Sequence, residues 1–287
     1  MLKRVKFSHI FLLLVFLSSA IWFYFFTSQP KFFRADFFDV GSGDAILLKT
    51  PDNFKVLIDG GPSSKILDHL GKSLGPVDRK IDLLVITHPH EDHIFGALEV
   101  LNRYEVKMIL GTGTVHTSSI YLEFLNQVKK KNIGFKIAEQ GQIYKFGDLE
   151  LEILYPFESL AGKKVQNLNN SSIVLKATYK KVNFLFLGDA EKEVGEKLLE
   201  KNIDLSASIL KVAHQGSKNG AQNFPGFLEM VKPQIAIILV GENRFGHPHK
   251  ETLDKLEAKK FKILRTDEDG SIKIESDGEN FWVDTSI

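Results

Sequence analysis

An apolar run, residues 81–86, leads directly into Thr87-His88-Pro89-His90-Glu91-Asp92-His93, and no other stretch restricts the fold as strongly. A short run of Ile, Leu and Val followed by turn residues reads as a buried strand. Polar groups delivered by a buried strand are costly unless something pairs with them. Imidazole and carboxylate are the donors that borderline-soft divalent ions such as zinc take. His88 and His90 alternate, so on an extended segment they point the same way. Asp92 and His93 lie beyond a proline-marked turn and can face a second ion. The spacing therefore predicts two metals a few ångströms apart, a geometry suited to hydrolysing esters and phosphodiesters.

The chain has 287 residues, 43% of them hydrophobic, enough for one sizeable domain or two small ones. It has no cysteine, which excludes disulfides, thiolate metal sites and a cysteine nucleophile. Of the 37 basic residues, Lys3, Arg4 and Lys6 precede the first apolar segment, leaving 34 against 36 acidic residues. That balance is no footprint for tight, non-specific nucleic-acid binding. The clusters at 129–131, 163–164 and 180–181 read as solvated surface.

Residues 10–26 form an almost unbroken apolar run behind those three basic residues. Its length is near the lower limit for crossing a bilayer. A cleavable signal would be cut near Ser18-Ser19-Ala20. The run continues past that point through Trp22 and Tyr24, which suit a membrane interface, so an uncleaved anchor is favoured. Either way the basic end stays inside and the rest is exported. The expected organisation is residues 1–31 as anchor and linker and residues 32–287 as a catalytic domain. That domain is expected on the extracytoplasmic side of the cell membrane, or secreted if the signal is cut.

Beyond the linker, strands are expected at 32–40, 45–49, 55–58, 81–87, 107–110, 133–137, 143–145 and 149–154. Helices are expected at 64–72, 95–103 and 118–131, and a polar loop at 157–169. A hairpin, 172–178 with 182–187, opens the second half. Helices at 191–201, 224–231 and 249–260 then alternate with strands at 208–212, 235–240, 261–264, 271–275 and 281–283. Two strand-rich halves, each with helices, predict two sheets packed face to face with helices outside.

Further polar residues follow the ends of apolar strands: Gly188-Asp189, His214-Gln215-Gly216-Ser217 and Gly246-His247-Pro248-His249. A carboxylate after a glycine can bridge two ions, although Asp189 alone also suits a helix cap. His214 and His247 are candidate fifth and sixth ligands. His249 suits the cap of the next helix or the orientation of a neighbour. Asp39, Asp44 and Asp59 sit at glycine turns, where they can hydrogen-bond the free nitrogens of ligating histidines or serve the turns themselves. Asn169-Asn170-Ser171-Ser172 forms a turn or reaches the site with its amides.

Taken in order from residue 33 to 283, these motifs resemble the metallo-β-lactamase fold superfamily, and more narrowly the hydrolase domain of the ComEC-type competence family. The resemblance implies an α+β fold, a four-layer αββα sandwich with a dinuclear site. It implies that His88 and His90 hold one ion, that Asp92, His93 and His247 hold the other, and that Asp189 bridges. It makes His214 a ligand or a phosphate-contacting acid. Asn170 stands where lactamase-type sites carry a third histidine. The chain departs from the family pattern at Gln215, where a second histidine is usual, and at Ser42, where glutamine is usual. The family's multi-spanning channel is not expected from this sequence, so a role in DNA uptake is not expected from the resemblance.

The expected activity is that of a membrane-anchored metal-dependent hydrolase using two divalent ions, zinc ahead of manganese. Asp92, His214, Ser217 and Asn170 are the expected catalytic residues, and His88, His90, Asp92, His93, Asp189, His214 and His247 the expected metal residues. The expected substrate is a phosphodiester, DNA included. A small ester (phosphorylcholine ester, lactone or thioester) is the alternative enzyme substrate. A degenerate binding relic, hinted at by Gln215, is the non-catalytic alternative. No protein partner is inferred.

Overall fold

The computed structural model describes residues 7–27 and 32–287; the basic residues Lys3, Arg4 and Lys6 and linker residues 28–31 lie outside the described residues. The first element is α1 (Phe7–Thr27), apolar and uncovered from Phe7 to Tyr24. At 1.5 Å per residue, an 18-residue stretch spans about 27 Å, close to the bilayer core.

The rest of the chain runs β1 (Phe33–Phe37), β2 (Ile46–Lys49), β3 (Lys55–Ile58), α2 (Lys65–Leu74), β4 (Lys80–Ile81), β5 (Leu83–Ile86), α3 (Glu91–Arg103), β6 (Glu105–Val106), β7 (Met108–Gly111), α4 (Ser119–Lys130), β8 (Gly134–Ile137), β9 (Ile143–Phe146) and β10 (Leu149–Tyr155). It continues with β11 (Val174–Tyr179), β12 (Val182–Phe186), α5 (Lys192–Glu200), β13 (Ile209–Lys211), α6 (Phe227–Val231), β14 (Ile235–Ile238), α7 (Lys250–Ala258), β15 (Lys262–Arg265), α8 (Thr266–Asp269), β16 (Ile272–Ser276) and β17 (Phe281–Thr285).

Two large sheets result, ordered β17-β16-β1-β2-β3-β5-β7-β8 and β15-β14-β13-β12-β11-β10-β9, with β4 and β6 pairing separately. Strand alternation explains how they stack. Phe33, Ala35, Phe37, Ile46, Leu48, Val56, Ile58, Leu83 and Val85 point inward to meet Leu175, Phe184, Phe186, Ile209 and Ile237. Leu47, Leu57, Leu84 and Ile86 point the other way, under Leu70, Ala97, Val100 and Phe124 of α2, α3 and α4. Leu185, Leu210, Ala236 and Ile238 likewise face Val194, Leu198, Phe227 and Leu256 of α5, α6 and α7. Central strands apolar on both faces are the signature of sheets covered on both sides. The molecule is thus the expected αββα sandwich.

The polarity of the strands sets where chemistry collects. Strands β3, β5, β7 and β8 run parallel, as do β12, β13, β14 and β15, in registers such as Ile58↔Val85 and Leu185↔Leu210. In such sheets the loops beyond the C-terminal strand ends form the ligand-binding rim. The opposite end carries hairpin turns, at 50–54, 147–148, 180–181 and 277–280.

The apolar pattern predicts a start for α3 near Phe95; the helix begins at Glu91. Glu91 and Asp92 in its first turn favour the positive end of a helix dipole. A close approach to the loop after β3 holds the helix in place. Gly60 N–H donates to His93 O and Gly96 N–H to Gly61 O, and a Cβ on Gly96 would stand 1.9 Å from Gly60 O. Only glycine admits that contact. The N-terminal turn of α3 therefore sits on the rim.

Candidate metal centre

The site grows from Asp59, a buried residue in left-handed backbone (φ 56) just past β3. Thr87, one residue beyond β5, donates its N–H to Asp59 Oδ1 at 2.8 Å and its hydroxyl to Asp59 Oδ2 at 2.6 Å. The Thr87 oxygen can then only accept, and it accepts from His88 Nδ1 at 3.1 Å. His93 Nδ1 donates to Asp59 Oδ2 at 2.8 Å. One carboxylate thus fixes two rings with Nδ1 turned inward and Nε2 turned to the rim.

Those Nε2 atoms meet Asp189, which follows β12. Asp189 Oδ2 lies 3.4 Å from His93 Nε2, 3.9 Å from His88 Nε2 and 3.7 Å from His214 Nε2. His88 Nε2 also faces His90 Nδ1 at 2.9 Å, and His93 Nε2 faces Asp92 Oδ2 at 3.7 Å. Ligand atoms of His88, His93 and Asp189 all lie within 4.8 Å of one another, and all three residues are buried. Among the described residues, His93 Nε2 and Asp189 Oδ1 have no hydrogen-bond partner despite full burial. Such orphaned atoms are costly, and a divalent cation is the partner that fits this nitrogen and oxygen donor set.

The electrostatics agree. Burial, with the charge on His93 beside it, pushes His88 well below the ordinary imidazole value and keeps it a neutral donor. Burial also lowers His90. Burial alone would lower His93, but the carboxylates of Asp189, Asp92 and Asp59 hold it well above the ordinary value. Burial would raise Asp189, yet His93, His214 and His88 hold it well below the carboxylate range. The cluster is therefore built to keep a positive charge at its centre.

Outer elements complete the rim. His247 approaches His214 with ring centroids 5.2 Å apart, and its Nδ1 is buried without a hydrogen-bond partner among the described residues. Burial, with His214 and His249 nearby, pushes His247 down to about 4. Asn243 holds its backbone, donating to His247 O at 2.8 Å and accepting from His247 N at 3.0 Å. His249 precedes α7 and accepts at Nδ1 from Lys218 N, 3.2 Å away, making no cap bond with its own helix. His214 and Gln215 are consecutive left-handed residues (φ 49 and 52), an uncommon conformation that aims both side chains into the cleft. Ser217 is buried in the same wall, its Oγ accepting from Asn219 N at 3.3 Å. His116 stays at the margin, its ring 6.5 Å from that of His90.

The two departures from the family pattern prove to touch. The Ser42 hydroxyl donates to Gln215 Oε1, and Gln215 Nε2 donates to Asp92 Oδ2 at 3.2 Å. Gln215 thus steadies a candidate ligand instead of supplying an imidazole.

The sequence offers the amides of residues 169–172 and the Asp44 carboxylate, but not which asparagine enters the cleft, nor Glu191, nor Lys211 as the partner of Asp44. Asn169, not Asn170, lines the cleft: its amide lies 3.3 Å from His214 Nδ1 and donates to Glu191 Oε1 at 2.8 Å. Asn170 turns away, accepting from Glu191 N at 3.0 Å and donating to Glu193. Glu191 itself faces His214 Nδ1 at 3.7 Å. Finally, Lys211 and Asp44 form a fully buried ion pair. Burial pushes Asp44 up to about 7 against the opposing pull of Lys211. Lys211 Nζ also donates to Gly188 O at 3.0 Å, so the pair positions Asp189.

The whole arrangement opens into a cleft of about 700 Å³ lined by His90, Asp92, Asp189, His214, Ser217 and His247. Phe245 stands at its mouth, 61% exposed, with the Arg244 guanidinium 5.3 Å from its ring centroid.

Residues 38–262 match the family model described as the Metallo-beta-lactamase superfamily. The chain is 28% identical over 259 residues to ComE operon protein 3 of Bacillus subtilis, covering 84% of this chain and 32% of that protein. It is 27% identical over 241 residues to Competence protein ComA of Neisseria gonorrhoeae, covering 82% of this chain and 31% of that one. The chain therefore spans about a third of the length of these ComEC-type relatives. Exodeoxyribonuclease WalJ of Streptococcus pneumoniae is 29% identical over 113 residues, 39% of this chain and 40% of that protein. Among solved structures, the metallo-beta-lactamase fold protein YhfI of Bacillus subtilis superposes with a TM-score of 0.56 at 12% identity, over 85% of this chain and 100% of that one.

Proposed function

The chain belongs to the metallo-beta-lactamase superfamily, and from that premise we propose a membrane-anchored, extracytoplasmic phosphodiesterase or nuclease that works with two divalent cations, zinc ahead of manganese. The observation that carries this reading is the convergence of His88, His93 and Asp189 with orphaned donor atoms at the floor of an open cleft. His88 and His90 would hold one cation, Asp92, His93 and His247 the other, with Asp189 between them. When bound, the cations supply Lewis acidity at the phosphoryl oxygens and lower the pKa of water.

The chain's own residues do the rest. Asp59 fixes the tautomers of His88 and His93, and Gln215 fixes Asp92. Glu191 and Asn169 face Nδ1 of His214, which leaves Nε2 on the cleft side to give a proton to the departing oxygen. Ser217 and Asn169 line the wall against which the phosphate is oriented. Asn170 acts one step back, by holding the Glu191 backbone.

Phe245 and Arg244 at the mouth favour a nucleic-acid strand, because an exposed ring beside a guanidinium can stack on a base. The name of one relative, an exodeoxyribonuclease, points the same way. The small-ester reading is favoured by one observation, the near-balanced charge of the chain. The test is turnover by the full chain in detergent on single-stranded DNA, bis-p-nitrophenyl phosphate and a panel of small esters, before and after chelation. Phosphodiester cleavage that is lost with the metal and restored by zinc supports the proposal. Full-rate cleavage by the stripped chain overturns it.

A further inference from the structure

Only four residues separate the end of α1 at Thr27 from Phe32, where the sandwich begins. Five Cα steps reach at most about 18 Å, whatever path they take. If α1 crosses a bilayer, Phe32 is therefore confined to the neighbourhood of its surface.

Phe32 belongs to the end of the sandwich opposite the metal centre. Phe33 pairs with Ser276, and Ser276 with Phe281, so the start of β1 lies beside the 277–280 turn. The turn at 180–181 joins the same end, Lys181 N–H donating to Gly278 O at 2.9 Å. From there β1 rises through Phe37, about 14 Å at strand spacing, before the loop that carries Ser42 into the cleft begins. At this basal end Phe32 packs edge-on against Trp282, ring centroids 5.5 Å apart, and both are exposed (39% and 51%). Exposed Phe and Trp side by side are the residues that settle at a headgroup boundary.

We propose that Phe32 and Trp282 seat the sandwich on the bilayer, so that the metal cleft opens away from the membrane. This rests on reading α1 as a membrane anchor and deepens the functional proposal. The substrate is then a water-borne phosphodiester arriving from bulk solvent, not a lipid headgroup of the same bilayer.

The chain suits a direct test, having two tryptophans and no cysteine. The full chain carrying Trp22→Phe, in vesicles of phosphatidylcholine brominated near the headgroup, reports Trp282 alone. Two single-cysteine variants, Asp277→Cys at the base and Lys218→Cys at the cleft, carry a fluorophore read against a headgroup quencher. The proposal expects flotation with vesicles, loss of at least half of the Trp282 emission, and quenching of the basal label but not of the cleft label. Failure to float removes the anchor reading and the proposal with it. Flotation with unquenched Trp282, or with the cleft label quenched as strongly as the basal one, overturns the seating while leaving the anchor intact.

Discussion

Asp59→Asn isolates the logic of the metal centre, because it removes one charge and almost no volume. In the native site Asp59 accepts three hydrogen bonds, from Thr87 N, Thr87 Oγ1 and His93 Nδ1. An asparagine can keep its oxygen toward Thr87 N and must then present an amide N–H to the other two. His93 Nδ1 has to accept, which moves its hydrogen to Nε2, the atom that faces Asp189. Thr87 Oγ1 also accepts, so its own hydrogen turns to His88 Nδ1 and the second ring flips in the same way. Loss of a partner that orients ligands costs about 10–100-fold in metal affinity, or roughly 1.4–2.8 kcal/mol. Loss of a charge-assisted hydrogen bond costs about 1.5–3 kcal/mol of stability, which leaves the sandwich folded. Calorimetric titration with zinc reads the affinity, circular dichroism checks the fold, and nitrogen chemical shifts report the tautomers. A folded variant that binds zinc within threefold of the native chain, with both rings still protonated on Nδ1, would refute the reasoning.

Other expectations follow from the same geometry. The folded pKa of His93 lies above the ordinary imidazole value of 6.5, so its contribution to the metal-free fold is complete below that value and lost as pH rises through the folded pKa. Asp189 lies below the ordinary aspartate value of 3.8, so its contribution is present above that value and lost as pH falls through the folded pKa. A cation must displace the His93 proton. Zinc binding should therefore tighten with rising pH and release a proton, read by calorimetry in buffers of different ionisation enthalpy; binding without proton release near pH 7 contradicts this. Lys211→Met leaves Asp44 buried without its cation and drives a carboxyl already pushed up to about 7 to hold its proton; the variant should be destabilised in denaturant unfolding, more at about pH 9 than at about pH 6, with most of the loss at the higher pH recovered in the Asp44→Asn, Lys211→Met double variant. Phe245→Ala should raise KM for a single-stranded oligonucleotide by about tenfold, equivalent to a lost stack of about 1–3 kcal/mol. The same variant should leave kcat/KM for bis-p-nitrophenyl phosphate unchanged; an equal loss on both substrates makes Phe245 a support for His247, on which it stacks.

Much of this architecture was legible because apolar strands announce themselves. The runs ending at Ile86, Leu187, Val212 and Val240 placed their polar successors on one rim, and the His88 to His93 spacing named the chemistry. Features that depend on a single residue of register were not legible. The tight turn at 169–171 sends Asn169 into the cleft and Asn170 out of it, and no periodicity distinguishes neighbours in such a turn. The start of α3 was placed late because the apolar pattern begins after the polar first turn. Lys211 sits inside a run that reads as pure core, and its partner lies 167 positions earlier; only the assembled fold brings the two together. The Ser42–Gln215 contact was hidden for the same reason. Gln215 alone hints at a lost function; its meaning changes because Ser42, 173 positions away, shares a hydrogen bond with it.

The central claim is that loops from distant strands grip two cations around Asp189. Metal content of the full chain, measured by mass spectrometry after dialysis against zinc and compared with Asp189→Ala, tests it most directly. The account predicts close to two ions per native chain and fewer than one in the variant, with the fold intact. A native chain that retains no zinc, or a variant that retains as much as the native chain, contradicts it.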